Sequence, residues 1–264
     1  MSVAQETCAA GERVVPEETP IALTYNGSTH AVMMASPSDL EDFAIGFSLS
    51  EGILSDPADL LSMEILEHDL GCEIRMWLSE RSGSSYRMRR RAMAGPVGCG
   101  LCGVESLAEA SRPVDPVTGS LRLQPGAIKT AMADLSGAQR LNREARAIHG
   151  AAFWRPEEGL VAIREDVGRH NALDKLAGAL ARTSEPCSDG LVLLTSRVSV
   201  EMVQKTARMG APVLVAISAP TALAVRVAEG CGITLVAVAR GDAFEVFTHP
   251  ERMNLQPAQG TKLR

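Results

Sequence analysis

The chain has 264 residues, 45% of them apolar and 22% charged, with a net charge of −6. At about 100–200 residues per domain this is one large domain or two modest ones, and the composition excludes a disordered chain, a collagen and a coiled coil. The acidic balance and an aromatic content of 3% argue against nucleic acid as a partner. The longest apolar runs, 211–217 and 233–239, fall far short of the ~20 residues of a membrane span.

Residues 1–19 read as a flexible tail with no apolar signal-peptide region, so a cytoplasmic location is expected. The six cysteines are then expected as thiols, metal ligands or catalysts rather than disulfides. Residues 21–25 and 28–34 are strand-prone and meet at Asn26-Gly27, a favoured tight turn. Ser36-Pro37-Ser38-Asp39 predicts a helix start with Ser36 as cap, and Leu40, Phe43, Ala44 and Phe47 follow at helical spacing up to a stop at Gly52. A second helix is expected over 57–66, capped by Ser55. Strands are expected over 72–78 and 86–93, a helix over 104–111, a connector over 112–124, and helices over 125–135 and 138–148.

From there strands and helices alternate. Strands are expected at 159–164, 191–195, 212–218, 233–239 and 244–247. Helices are expected at 171–181, 199–209 and 220–228. Strands such as Val213-Leu-Val-Ala-Ile217 are apolar on both faces, as in a mostly parallel sheet with helices on both sides. The last two strands should close as an antiparallel hairpin around Arg240-Gly-Asp-Ala243.

Cys99 and Cys102 form a C-x-x-C flanked by Gly98, Gly100 and Gly103. Three chemistries fit it. The pair is a plain glycine-rich turn, a metal site, or a nucleophilic or redox pair. A zinc deaminase needs H-x-E upstream of P-C-x-x-C; here His249-Pro250-Glu251 lies downstream and Gly98 precedes Cys99. A helix beginning just after Cys102 would favour the thiolate by its N-terminal positive end. The remaining cysteines, Cys8, Cys72, Cys187 and Cys231, are isolated and receive no role.

Ligands of open α/β sheets bind beyond the C-terminal ends of the strands. Four such ends here are polar. They are Arg164-Glu-Asp-Val-Gly-Arg-His-Asn171, Thr195-Ser-Arg-Val-Ser199, Ser218-Ala-Pro-Thr221 and Arg240-Gly-Asp242. Asn171, Ser199 and Thr221 also read as plain helix caps, and His170 as a base or a satisfied imidazole. A phosphate suits the amides at Ser218–Thr221, and an Asp carboxylate accepts from a guanine edge. Together they point to an anionic, nucleotide-like ligand. No P-loop or G-x-G-x-x-G is present.

The runs Arg164-Glu-Asp-Val-Gly-Arg-His-Asn-Ala-Leu-Asp-Lys175, Ser199-Val-Glu-Met-Val-Gln-Lys205, Val215-Ala-Ile-Ser-Ala-Pro-Thr-Ala-Leu-Ala224 and Ser38-Asp-Leu-Glu-Asp-Phe-Ala-Ile-Gly-Phe47, with Thr248-His-Pro-Glu-Arg252 and the cysteine pair, resemble the formate dehydrogenase accessory family of FdhD-type sulfurtransferases. The resemblance runs from about residue 20 to 252. It implies a sulfur carrier between a cysteine desulfurase and the molybdenum cofactor of formate dehydrogenase, a bis(molybdopterin guanine dinucleotide). It implies that Cys99 takes sulfur as a persulfide, with Cys102 assisting. It also implies that the cofactor meets Val238, Ala239, Arg240, Gly241, Asp242 and Ala243. Ser218, Thr221, Arg197 and His170 join that candidate set, with GDP or GMP as a partial mimic and no metal ligand. His149, in Ala147-Ile-His149-Gly150, departs from the family's glycine-rich turn.

The expected organisation is a tail (1–19), an N-terminal α+β part ending in the cysteine loop and its helix (20–112), a helical connector (113–150), and a C-terminal α/β core of cytidine-deaminase-like fold (151–264). A homodimer is compatible with this fold class. A delivery chaperone without sulfur chemistry and, more remotely, a zinc-dependent deaminase are the alternatives.

Overall fold

The computed structural model describes residues 2–4, 7–9, 13–93, 114–241 and 243–254. Cys99, Cys102, Asp242 and the helix expected over 104–111 lie outside the described residues. Within the expected tail, β1 (Ser2–Ala4) and β2 (Thr7–Ala9) pair as a short antiparallel ribbon.

The first sheet has the order β4-β3-β6-β5. Its strands are β3 (Thr19–Tyr25), β4 (Ser28–Ala35), β5 (Leu60–His68) and β6 (Gly71–Leu78). Asn26 and Gly27 both take positive φ, 49° and 76°, as the two-residue turn between β3 and β4 requires. Helix α1 (Leu40–Ser50) lies on the inner face, where Phe43 and Phe47 pack with Ile21, Leu23, Tyr25, Ile74 and Met76.

Three expectations in this half are corrected. Ser36 does not cap α1. Asp39 is the N-cap residue, in the left-handed region and without a side-chain bond, because Ser36 is drawn into the second half of the molecule. Residues 57–66 are not a helix. Pro57–Asp59 forms one tight turn capped by Asp56, and Leu60–His68 then pairs antiparallel with β6 and places Met63 and Ile65 on the core side. Residues 86–93 belong to helix α2 (Glu80–Met93), not a strand. The Ser79 hydroxyl accepts from the Ser82 amide at its start, and Tyr86 turns inward onto Tyr25 and His30.

After helices α3 (Pro125–Ala138) and α4 (Arg140–Ala145) comes the second sheet, of order β12-β11-β10-β9-β7-β8. Its members are β7 (His149–Arg155), β8 (Gly159–Asp166), β9 (Leu191–Leu194), β10 (Val213–Ala216), β11 (Thr234–Arg240) and β12 (Ala243–Val246). Helices α5 (Arg169–Arg182), α6 (Val200–Arg208) and α7 (Ala222–Gly230) cover one face and α3 the other. The helices do lie on both faces, but the sheet is not mostly parallel. Only β9-β10 and β10-β11 pair parallel, while β7 pairs antiparallel with both β8 and β9 and β12 antiparallel with β11. The difference comes from β7, an apolar strand opening at His149, where the helix pattern was expected to run to 148. Arg146, in the left-handed region, ends α4 first.

The two halves meet where α1 crosses α5. A Cβ on Gly46 would overlap the Asp174 carbonyl oxygen, and one on Gly178 the Asp42 carbonyl oxygen, so the backbones touch directly. Around this crossing, buried Asp42 receives Arg164 Nη2 at 2.6 Å and Arg182 Nη1 at 2.7 Å. Asp166 and Lys175, both fully buried, pair at 2.6 Å. Ser36 is woven into that pair. Its amide donates to Asp166, its carbonyl accepts from Lys175, and its hydroxyl accepts from Val167 N–H.

Candidate functional site at the sheet edge

β8, β9, β10 and β11 all run in one direction, because β7 is antiparallel to both of its neighbours. Their C-terminal ends therefore share one edge. The structure brings to that edge the segment after β8 with His170, the segment after β9 with Arg197, the β10–α7 turn with Ser218 and Thr221, and the β11–β12 turn. His149 joins them, since it opens β7 opposite Asp166. His249, in contrast, bonds to the Glu229 carbonyl and follows β12 at the other end of the sheet.

At the β8 end, Gly168 and not Asn171 is the N-cap residue of α5. The Asn171 amide is buried and donates instead to Asp166 Oδ1 and the Met34 carbonyl. It ties the loop to the first half. Gly168 needs its lack of a side chain here, since a Cβ would stand 2.8 Å from Asn171 Nδ2. Arg169 Nε is buried and has no hydrogen-bond partner among the described residues. His170 Nε2 lies 3.5 Å from Glu201 Oε2. Burial, then the charge of Lys205, pushes the His170 pKa below its ordinary 6.5, with Glu201 opposing. Lys205 itself is held at 2.5 Å by Asp174. His149 is also pushed down, by burial and then by Arg169. Both imidazoles are therefore neutral at pH 7, able to accept a proton or a hydrogen bond.

At the β9 end Arg197 is exposed. Ser199 occupies the N-cap position of α6, but its hydroxyl turns to Glu201 Oε2 at 3.3 Å rather than to the backbone. At the β10 end Thr221 caps α7, accepting from Ala224 N–H at 3.2 Å. Ser218 is half-buried, and its carbonyl accepts from Val238 N–H. At the β11 end the expected antiparallel hairpin forms. Arg240 is exposed, with Nε donating to the Ile217 carbonyl at 3.1 Å. Ala239 is buried, Gly241 takes φ 57° in the turn, and Ala243 opens β12 opposite Arg240.

The edge thus collects three guanidinium groups, two neutral imidazoles and the starts of three helices. Positive helix ends and planar donors of this kind recognise phosphate or carboxylate oxygens. Among the described residues no group of three His, Cys, Asp or Glu side chains is placed to hold a metal ion. No helix among them is long and apolar enough to cross a membrane. A hollow of about 660 Å³ lies elsewhere, on the outer face of the first sheet beside Val32 and Leu70.

A family model described as the FdhD/NarQ family matches residues 16–254. The chain belongs to the FdhD/NarQ family. It is similar to a protein named sulfur carrier protein FdhD from Agrobacterium fabrum, 56% identical over 251 residues, covering 94% of this chain and 92% of that one. It is similar to the protein of the same name from Cupriavidus necator, 49% identical, covering 90% of this chain and 83% of the relative. A crystal structure described as a formate dehydrogenase accessory protein, from Desulfotalea psychrophila, superposes with a TM-score of 0.70 at 28% identity and covers 90% of both chains. Residues 164–175, 199–205 and 215–224, which lie within the matched span, are the runs that build this edge.

Two features of the edge carried no sequence signal. One is the Lys205–Asp174 pair beneath His170, which joins two helices 31 positions apart. The other is Val238, a β-branched residue at φ 52°. The first would have needed knowledge that α5 and α6 are neighbours. The second contradicts local preference outright, since such residues avoid the left-handed region.

Proposed function

We propose that this chain is a sulfur carrier that takes persulfide sulfur on Cys99 from a cysteine desulfurase and passes it to the molybdenum cofactor, so activating formate dehydrogenase. The observation that carries the reading is the gathering of the four polar strand ends at one edge, in a chain whose relatives are named sulfur carrier proteins. The Cys99 thiolate attacks the outer sulfur of the desulfurase persulfide. The S–S bond there breaks, the desulfurase thiolate leaves, and Cys99 keeps the sulfur. Cys102 assists as a neighbouring acid, or its thiolate attacks Cys99 Sγ, which breaks the persulfide S–S bond, releases the outer sulfur as hydrosulfide and leaves a Cys99–Cys102 disulfide.

The acceptor is a substrate, bis(molybdopterin guanine dinucleotide). Its phosphates suit Arg197, Arg240, Ser218 and the amides at the start of α7, and its guanine suits Asp242 within the 238–243 stretch. His170 and His149 are neutral and stand ready to take a proton. In the same reading the six-stranded unit is a cytidine-deaminase-like core that binds a nucleotide without zinc chemistry. In this reading the chain divides into a tail, an N-terminal α+β part from β3 up to residue 112, a connector from 113, and a C-terminal α/β core that takes in β7 from His149, and the protein works in the cytoplasm.

Incubation with an active desulfurase and cysteine, followed by peptide mass analysis without reductant, tests the sulfur step. A reductant-labile gain of one sulfur (~32 Da) on the Cys99 peptide is expected. No gain would favour a delivery chaperone for the same cofactor. Cys99→Ala is expected to fold normally and leave formate dehydrogenase inactive. Asp242→Ala is expected to weaken GDP binding in a titration, and unchanged affinity would remove the guanine assignment.

A further inference from the structure

The ladder between β11 and β12 contains one residue too many. Ala237 pairs with Glu245 but Arg240 with Ala243, so β11 has an additional residue between these pairs. In that interval Val238 takes φ 52°. This is a bulge with its left-handed position filled by a β-branched residue, where glycine is the usual occupant. The bulge also explains the packing. Val236 and Ala239 both lie in the apolar layer beneath α3, although residues three apart on a regular strand face opposite sides. Arg240 is then turned to the side of α5–α7, and its Nε reaches the Ile217 carbonyl, one residue before Ser218.

We infer that the Val238 bulge is a positioning device that bends the end of β11 and holds Arg240 against the β10–α7 turn, and so sets the affinity of this edge for a phosphate-bearing ligand. Folding alone does not demand it. Removing Val238 would restore a regular ladder and leave Ala239 and Arg240 on the faces they already occupy. A strained backbone retained at a sheet edge, among groups suited to an anion, is the pattern expected of a functional constraint. The inference rests on the proposed nucleotide site, and its test separates the two.

GDP is titrated into the full-length wild type, a variant lacking Val238, Arg240→Ala, and the double variant, with the melting temperature of each recorded. Wild-type binding is the control, and its absence would overturn the site reading and this inference together. With wild-type binding present, deletion of Val238 is expected to weaken GDP at least tenfold while the protein stays folded. Adding Arg240→Ala should then cost little more, because both act through one side chain. Unchanged affinity in the deletion, or losses that simply multiply, overturns the positioning role and leaves the site reading standing. If the deletion does not fold, Val238→Gly decides. Glycine accepts the left-handed conformation freely, so its melting temperature should rise by about 2 °C; a fall would overturn the strained bulge.

Discussion

The α1–α5 crossing and the sheet edge lie within a few residues of each other, yet they are built on opposite terms. At the crossing every polar atom of Ser36 and both partners of the Asp166–Lys175 pair are buried and engaged, and two glycines let the helix backbones touch. At the edge the guanidinium groups of Arg197 and Arg240 are exposed, Arg169 Nε has no hydrogen-bond partner among the described residues, and Val238 is held in a costly conformation. The first region's buried charges are paired across the halves and so fix how the halves sit. The second presents exposed guanidinium groups to solvent, which is what an anion site requires. The loop 166–171 belongs to both, so the paired region supports the exposed one.

The contrast predicts where stability and binding separate. Lys175→Met leaves Asp166 buried without its cation and should cost about 3–5 kcal/mol, as chemical denaturation measures. Gly178→Ala forces a methyl against the Asp42 carbonyl and should cost about 1–3 kcal/mol by the same measurement, with the effect read as a lower melting temperature and no selective change in ligand affinity. At the edge the pattern reverses. Arg197→Ala should change stability by no more than about 0.5 kcal/mol, while GDP titration shows weaker binding.

The smallest effect is that of pH. His149 and His170 have folded pKa values below 6.5, so the unfolded chain takes up protons first on acidification. Their contribution is intact above pH 6.5 and is lost as pH falls from there through the folded values. The melting temperature should therefore drop in that window, and the double variant His149→Gln/His170→Gln should flatten part of the slope.

Much of the edge was legible before the fold. Loops dense in charge after apolar strands stand out because a buried strand has no use for them, and the structure gathers residues 164–171, 195–199 and 218–221 at one end of the second sheet. The roles inside those loops were less legible. Asn171 reads as a cap by position and Ser36 as a cap by motif. Both are instead anchors between the halves, because each finds a buried carboxylate and backbone partner more than 125 positions away or across a turn. The run 57–66 reads as a helix by composition, but the hairpin partner β6 supplies a ladder that outweighs local propensity. β7 went unseen because its start lies where a helix pattern was still running.

By itself the sequence determined the membership of the chain in its family, the alternation of strands and helices over 159–247, the Asn26-Gly27 hairpin and the polar character of the strand ends. These depend on local chemistry: turn residues, apolar periodicity and charge. Only the tertiary structure decided that β7 reverses the first strands of the second sheet, and that this reversal aligns four strand ends at one edge. It alone decided that Gly46 meets Asp174 and Gly178 meets Asp42, and that Val238 is bent into a conformation its side chain disfavours. Those outcomes depend on which distant backbones approach, and a residue's own preferences carry no record of its distant neighbours.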